Sequence, residues 1–206
     1  MRSFTRTIVV VSLALAVLAP TAGGAAASSS TNLHDEVGDV PRDSADSEFA
    51  RIRYEPTALV VSMRMVRFTD PLRHPAWVDG YTNAVWILDA EPGAGDAAPD
   101  FFVRVATIVP DDGTPRFRGW VHESFGEPPV CSGRARANEV ARTYSFSIPP
   151  RCVDRSDRVR FAAYFEWDRT PDDAEDDSWI VDTVEGDECT PYNYTCAYYS
   201  NWAQRP

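Results

Sequence analysis

Apolar and polar residues alternate with a period of two along several short stretches of this chain. In the clearest stretch, the residues that share one face are Val159, Phe161, Ala163, Phe165 and Trp167. An earlier stretch places Leu59, Val61, Met63 and Met65 on one face in the same way. Successive side chains of a β-strand point to opposite faces of the sheet, so this period indicates strands with one buried face. No segment longer than about ten residues combines helical periodicity with capping signals.

The predicted strands cover residues 49–54, 59–66, 81–90, 101–109, 116–122, 134–137, 144–148, 159–167 and 179–184. Turn signals separate them, such as Asp112-Gly113 between two strands and Pro149-Pro150 at the end of another. About seven to nine short strands of this kind predict an all-β fold, namely an antiparallel β-sandwich of jelly-roll type. Residues 67–80 are predicted to form a long loop.

The first 27 residues have the features of a secretory signal peptide. Arg2 and Arg6 precede an apolar segment at residues 8–19, and Ala25-Ala26-Ala27 offers a cleavage site of small residues. That segment is shorter than the ~20 residues that a helix needs to span a bilayer, although an uncleaved anchor is the alternative. We therefore expect a secreted protein with an extended lead-in at 28–47, a sandwich domain at 48–188 and an aromatic tail at 189–206.

The charge of the chain restricts its partners. Its net charge is −11, and removal of Arg2 and Arg6 with the signal peptide takes it to −13. Such a protein repels nucleic acid and anionic membranes, so neither is an expected partner. A cation, a glycan or another exported protein is easier to bind, and we expect a monomer.

Four cysteines in an exported chain predict two disulfides. Three pairings are possible, and proximity in sequence favours Cys131–Cys152 together with Cys189–Cys196. A zinc site is the alternative, but the cysteines lack the close spacing of zinc ligands.

Several segments together resemble small exported β-sandwich proteins of high-GC bacteria, of the carbohydrate-binding-module or DOMON type. The matching segments are the opening Asp35-Glu36-x-Gly38-Asp39, then Cys131-Ser132-Gly133, then residues 144–152, 158–161 and 172–174. The resemblance implies the sandwich and the disulfide between Cys131 and Cys152. It implies no activity, and the tail with Cys189 and Cys196 departs from it.

Acidic residues near the start of the domain and in a later loop predict a calcium site. Calcium takes six to eight oxygen ligands, often from aspartates in irregular loops. The candidate ligands are Asp35, Asp39, Asp172 and Asp173. The spacing matches no calcium-loop motif, and a solvated acidic surface is the alternative.

Aromatic residues in loops and in the tail predict a platform on which sugar rings stack. The candidates are Trp77, Trp120, Tyr192, Tyr194, Tyr198, Tyr199 and Trp202. The alternative is that such side chains lie in the core or cover a sheet edge, as buried aromatic residues commonly do.

No catalytic residues are predicted, because the chain has neither an HExxH zinc motif nor a GxSxG nucleophile motif. Glu166 and Asp168 lie about 7 Å apart along one strand face, but the third carboxylate of a glycosidase pattern is missing. The leading hypothesis is a secreted, non-catalytic module that binds a glycan or a component of the cell envelope. The alternatives are a protein-interaction, structural or inhibitor module and, more remotely, a glycoside hydrolase.

Overall fold

The computed structural model describes residues 28–79, 81–90, 99–124, 126–168, 179–184 and 200–206. The predicted signal peptide, Asp172, Asp173 and the Cys189–Cys196 pair lie outside these ranges. None of the helices in them has the length and apolar character that crossing a membrane requires.

Nearly all of the regular secondary structure in the described residues is β, and its two antiparallel sheets form a β-sandwich. The first sheet has the strand order β1-β2-β3-β9-β8, and the second has the order β11-β10-β4-β5-β6-β7, with β12 paired to β10. The strands of the first sheet are β1 (Ser29–His34), β2 (Ser47–Glu55), β3 (Ala58–Met65), β8 (Arg136–Asn138) and β9 (Thr143–Ile148). Those of the second are β4 (Asn83–Asp89), β5 (Phe101–Ile108), β6 (Arg116–His122), β7 (Cys131–Arg134), β10 (Arg158–Asp168), β11 (Trp179–Val184) and β12 (Ala203–Gln204). The long strand β10 returns to lie beside β4, as in a Greek key.

The predicted disulfide between Cys131 and Cys152 is confirmed, with a Cα–Cα distance of 5.8 Å. Cys131 begins β7 of the second sheet, and Cys152 lies in a 3₁₀ helix (Pro150–Val153) directly after β9 of the first. At the same edge of the sandwich the chain passes from β7 to β8 through the buried Ala135. The disulfide therefore joins the two sheets at their β7–β8 edge.

The core between the sheets is rich in aromatic side chains. Trp86, Trp167 and Phe165 are fully buried there, and so are the predicted inward residues of β3. A short helix, α1 (Pro75–Val78), inserts Trp77 at one end, where its ring meets that of Tyr144 at 4.8 Å in an edge-to-face contact. The segment predicted to be a loop therefore contains a short helix, and Trp77 of that helix is a buried core residue.

The second sheet is also apolar on part of its outer face. Val85, Ile87, Phe102, Ala162 and Tyr164 form a buried cluster there, separate from the main core. Alternate residues of β4 therefore enter different clusters, since Trp86 and Leu88 lie in the core while Val85 and Ile87 lie in this outer cluster. Both faces of β4 are buried.

The structure corrects the prediction at both ends of the domain. Residues 29–34, expected to be an extended lead-in, form β1 and pair with β2 from Ser29 opposite Tyr54 to His34 opposite Phe49. Near the other end, Ala203 and Gln204 form β12 against β10. Residues 29–34 of the lead-in are therefore an edge strand of the first sheet.

Candidate functional site

Asp182 is a buried carboxylate at a core-facing position of β11. It lies opposite Phe165 in the register with β10, and its neighbour on the same face of β11, Val184, is an apolar core residue. The side chain is 1% exposed, and its Oδ1 atom has no hydrogen-bond partner among the described residues. A buried charge is costly unless it is paired, so this position calls for a proton or a cation.

Two further carboxylates meet Asp182 at this edge of the sandwich. Asp35 follows β1 directly, and Asp39 follows Gly38 in the next turn. One carboxylate oxygen from each of the three aspartates lies within 4.8 Å of the others. Residues far apart in the sequence thus bring three negative groups to one point.

Ser47, at the start of β2, holds two of these carboxylates in place. Its backbone N–H donates to Asp182 Oδ2 at 2.6 Å, and its hydroxyl donates to Asp35 Oδ2 at 2.8 Å. Both sheets therefore position the cluster, because β2 belongs to the first and β11 to the second.

The neighbouring Asp46 is a second fully buried carboxylate. Its Oδ2 accepts a hydrogen bond from the backbone N–H of Gly38 at 2.7 Å, whereas its Oδ1 has no partner among the described residues. Burial raises the pKa of Asp46, and the charges of Asp39 and Asp43 add to the rise against the opposing bond from Gly38. The turn that carries Asp39 therefore packs against a second buried carboxylate whose negative charge is poorly compensated.

The pKa of Asp182 is raised in the same way as that of Asp46. Burial, together with the charges of Asp35 and Asp39, raises this pKa to about 7 against the hydrogen bonds from Ser47, which lower it. No arginine in the described ranges forms an ion pair with Asp182. Without a cation, the carboxyl group holds its proton close to neutral pH.

This set of oxygens suits a hard divalent cation. Calcium prefers carboxylate oxygens in irregular loops, and a bound ion would satisfy the unpartnered Oδ1 of Asp182. The predicted ligands Asp35 and Asp39 are brought together, while Asp172 and Asp173 lie outside the described residues. Sequence reasoning missed Asp182, whose one signal is a polar residue at an inward position of an otherwise apolar strand.

Three residues of the predicted aromatic platform lie among the described residues, namely Trp77, Trp120 and Trp202. Trp77 does not belong to it, because its side chain is 1% exposed and its Nε1 donates to Thr69 Oγ1 at 2.9 Å inside the core. Tyr192, Tyr194, Tyr198 and Tyr199 lie outside the described residues. The exposed-loop interpretation of Trp77 was wrong because helix α1 turns the ring inward.

Trp120 is half-buried on the outer face of β6. It lies opposite Arg104 of β5 and lines a small groove of about 220 Å³ with Arg104, His122 and Pro129. Trp202 is also half-buried, but its ring contacts the guanidinium groups of Arg158 and Arg160 at 4.8 and 4.9 Å. Those arginines are on β10, three strands from β6, so the two indoles do not form one surface.

Of the possible carboxylate pair of a glycosidase, Glu166 is described, whereas the side chain of Asp168 lies outside the described residues. Glu166 accepts a hydrogen bond from Asn83 Nδ2 at 2.8 Å, and Asn83 Oδ1 accepts one from Arg104 Nε at 2.6 Å. Burial raises the pKa of Glu166, while the bond from Asn83 and the charge of Arg104 lower it. Glu166 is therefore engaged in a structural polar chain on the outer face of the sheet.

Comparisons of the chain with protein families, with curated proteins and with solved structures find no match. The chemistry of the described residues, above all the buried carboxylate of Asp182, is therefore the basis for a functional assignment.

Proposed function

We propose that this protein is an extracellular calcium-binding β-sandwich in which the ion has a structural role. The observation that carries the proposal is the unpartnered, buried Oδ1 of Asp182 beside the carboxylates of Asp35 and Asp39. Three carboxylates and a cation form a compensated site, whereas three carboxylates alone do not.

The position of the site explains what the ion would do. The β7–β8 edge of the sandwich is closed covalently by Cys131–Cys152. The opposite edge, where β11 faces β2, has the aspartate cluster instead. A calcium ion held there by Asp35, Asp39 and Asp182 fastens the start of the first sheet to the end of the second.

Calorimetric titration of calcium into EDTA-treated protein tests the proposal. We expect one ion per chain to bind and the melting temperature to rise, because only the folded state presents the assembled site. Asp182→Asn should abolish both effects while keeping the shape of the side chain. Asp111→Asn, in an exposed turn, removes one negative charge elsewhere and should bind calcium as the wild type does.

Absence of binding heat together with an unchanged melting temperature in the wild type would refute the calcium site. Full calcium binding by Asp182→Asn would refute it equally, because it would place the ion elsewhere.

Glycan binding, without catalysis, is the second candidate function, and the partial exposure of Trp120 beside Arg104 and His122 favours it. An indole face stacks on a sugar ring while neighbouring polar groups bind hydroxyls. Retention on insoluble polysaccharides should be lost in Trp120→Ala. It should persist in Trp202→Ala, the matched loss of a half-buried indole whose ring already contacts two arginines. Equal retention of wild type and Trp120→Ala would exclude this face.

A further inference from the structure

Four arginines surround a groove of about 790 Å³ at the edge where the chain passes from β7 to β8. Arg116 and Arg118 come from β6, Arg134 ends β7, and Arg136 begins β8. The groove wall also includes apolar surface from Leu72, which is 44% exposed. A concentration of positive charge at one place is unexpected in a chain whose net charge is −11.

The arrangement of these arginines is unfavourable for the protein alone. Arg118 and Arg134 lie directly opposite each other in the β6–β7 register. Like charges at directly opposed positions destabilise a strand pair. Within the described part of the chain, neither Arg118, Arg134 nor Arg136 forms an ion pair. Their guanidinium groups therefore retain donors for a ligand.

The acidic residues at the groove do not cancel this charge. Asp70 is engaged by Arg73 at 3.6 Å and accepts a hydrogen bond from the backbone N–H of Leu72. Glu139 is the other acid in the groove wall, and Asp112 pairs with Arg116. Arg118, Arg134 and Arg136 exceed what the remaining carboxylate neutralises.

We infer that this groove binds an acidic polysaccharide, through its carboxylate or sulfate groups. A planar guanidinium matches either group with two parallel hydrogen bonds. Trp120 follows Arg118 at the next position on the same face of β6, about 7 Å along the strand. A chain that alternates anionic groups with sugar rings fits that sequence of arginine and indole.

The inference deepens the glycan-binding candidate by naming the charge of the ligand, and it rests on that candidate. It does not depend on the calcium site, which lies at the opposite edge of the sandwich.

Affinity electrophoresis with soluble polymers tests the inference. The probes are polygalacturonate for carboxylates, heparin for sulfates and dextran as a neutral polysaccharide, with poly-aspartate and a DNA oligomer as acidic polymers that are not polysaccharides. We expect retardation by at least one acidic polymer but not by dextran, and weakening with increasing salt. Arg118→Gln and Arg134→Gln should each weaken binding roughly tenfold, as expected for loss of a charge-assisted bond. Arg151→Gln, an exposed arginine on the 3₁₀ helix, is the matched control and should bind normally.

Loss of binding in these variants would not come from unfolding. Each glutamine variant removes the repulsion between Arg118 and Arg134, so it should melt at or above the wild-type temperature. Retardation by neither acidic polymer would overturn the inference, and so would unchanged binding in both variants. Preference for dextran would overturn it while leaving the glycan candidate standing. Binding of poly-aspartate or a DNA oligomer in place of the polysaccharides would overturn both this inference and the glycan candidate. None of these outcomes bears on the proposed calcium site.

Discussion

The backbone N–H of Ser47 donates to Asp182 Oδ2 at 2.6 Å across a sequence separation of 135 residues. The bond joins the first residue of β2 to an inward-facing residue of β11, and so it connects the two sheets. It also accounts for one oxygen of a buried carboxylate that lies beside the carboxylates of Asp35 and Asp39. The second oxygen is the one that the proposed calcium ion would satisfy.

The metal-free protein should lose stability as the pH rises from about 4 to about 7. The pKa of Asp182 is raised from 3.8 to about 7 in the folded state. Between these values the folded protein holds a proton that the unfolded chain has released, so rising pH favours unfolding until the window ends. The contribution is at most roughly 4 kcal/mol.

Urea denaturation in EDTA at several pH values measures this effect. Asp182→Asn has no carboxyl group to ionise at this position, so its free energy of unfolding should gain on that of the wild type as the pH increases to 7. A constant difference between the two proteins across that range would show that Asp182 titrates normally.

Calcium should bind more weakly below neutral pH, because the ion competes with the proton on Asp182. With a pKa of about 7 for that group, the apparent affinity at pH 5 should be roughly 100-fold lower than its limit at high pH. Titration calorimetry at pH 5, 6, 7 and 8 gives the profile directly. An affinity that does not change between pH 5 and pH 8 would mean that Asp182 is not a ligand.

Much of the sandwich could be predicted from local alternation, because a strand with one buried face carries its own signal. Residues 59–65 and 159–167 are such strands, and the structure buries the predicted face of each. Residues 29–34 have no such signal, since Leu33 is the only large apolar residue among them. Their strand depends on backbone pairing with β2, which a sequence pattern does not reveal.

The candidate metal site could be predicted only in part, for a related reason. Asp35 and Asp39 were identifiable because an acidic turn opens the domain. Asp182 was not identifiable, since the position that its side chain takes in the sandwich depends on the register between β10 and β11. The arginine groove has no local signal in the sequence, because its residues come from three strands and only the pairing of those strands places Arg118 opposite Arg134.

Gly119→Ala should destabilise the protein because the ring of Phe146 covers that glycine. A Cβ atom at position 119 would lie 2.4 Å from Phe146 Cγ, and Phe146 is buried. Displacing a ring within a filled core costs about 1–3 kcal/mol. Thermal or urea unfolding measures the loss.

Ser132→Ala, on the neighbouring strand at an exposed position, is the control and should be close to neutral. Phe146→Leu removes the ring, so adding Gly119→Ala to that background should cost less than it does in the wild type. Equal costs in the two backgrounds would show that the contact with Phe146 is not the cause.

Replacing both Cys131 and Cys152 by serine should lower the free energy of unfolding by about 3 kcal/mol, the value expected for a closed loop of about twenty residues. The cross-link joins β7 to the segment after β9, so its loss also frees the two sheets at that edge. Urea unfolding of the oxidised wild type and of the double variant gives the difference. In excess reducing agent the two proteins should converge, because the wild type then lacks the same cross-link. A difference that persists under reduction would assign the loss to packing of the serines rather than to the disulfide.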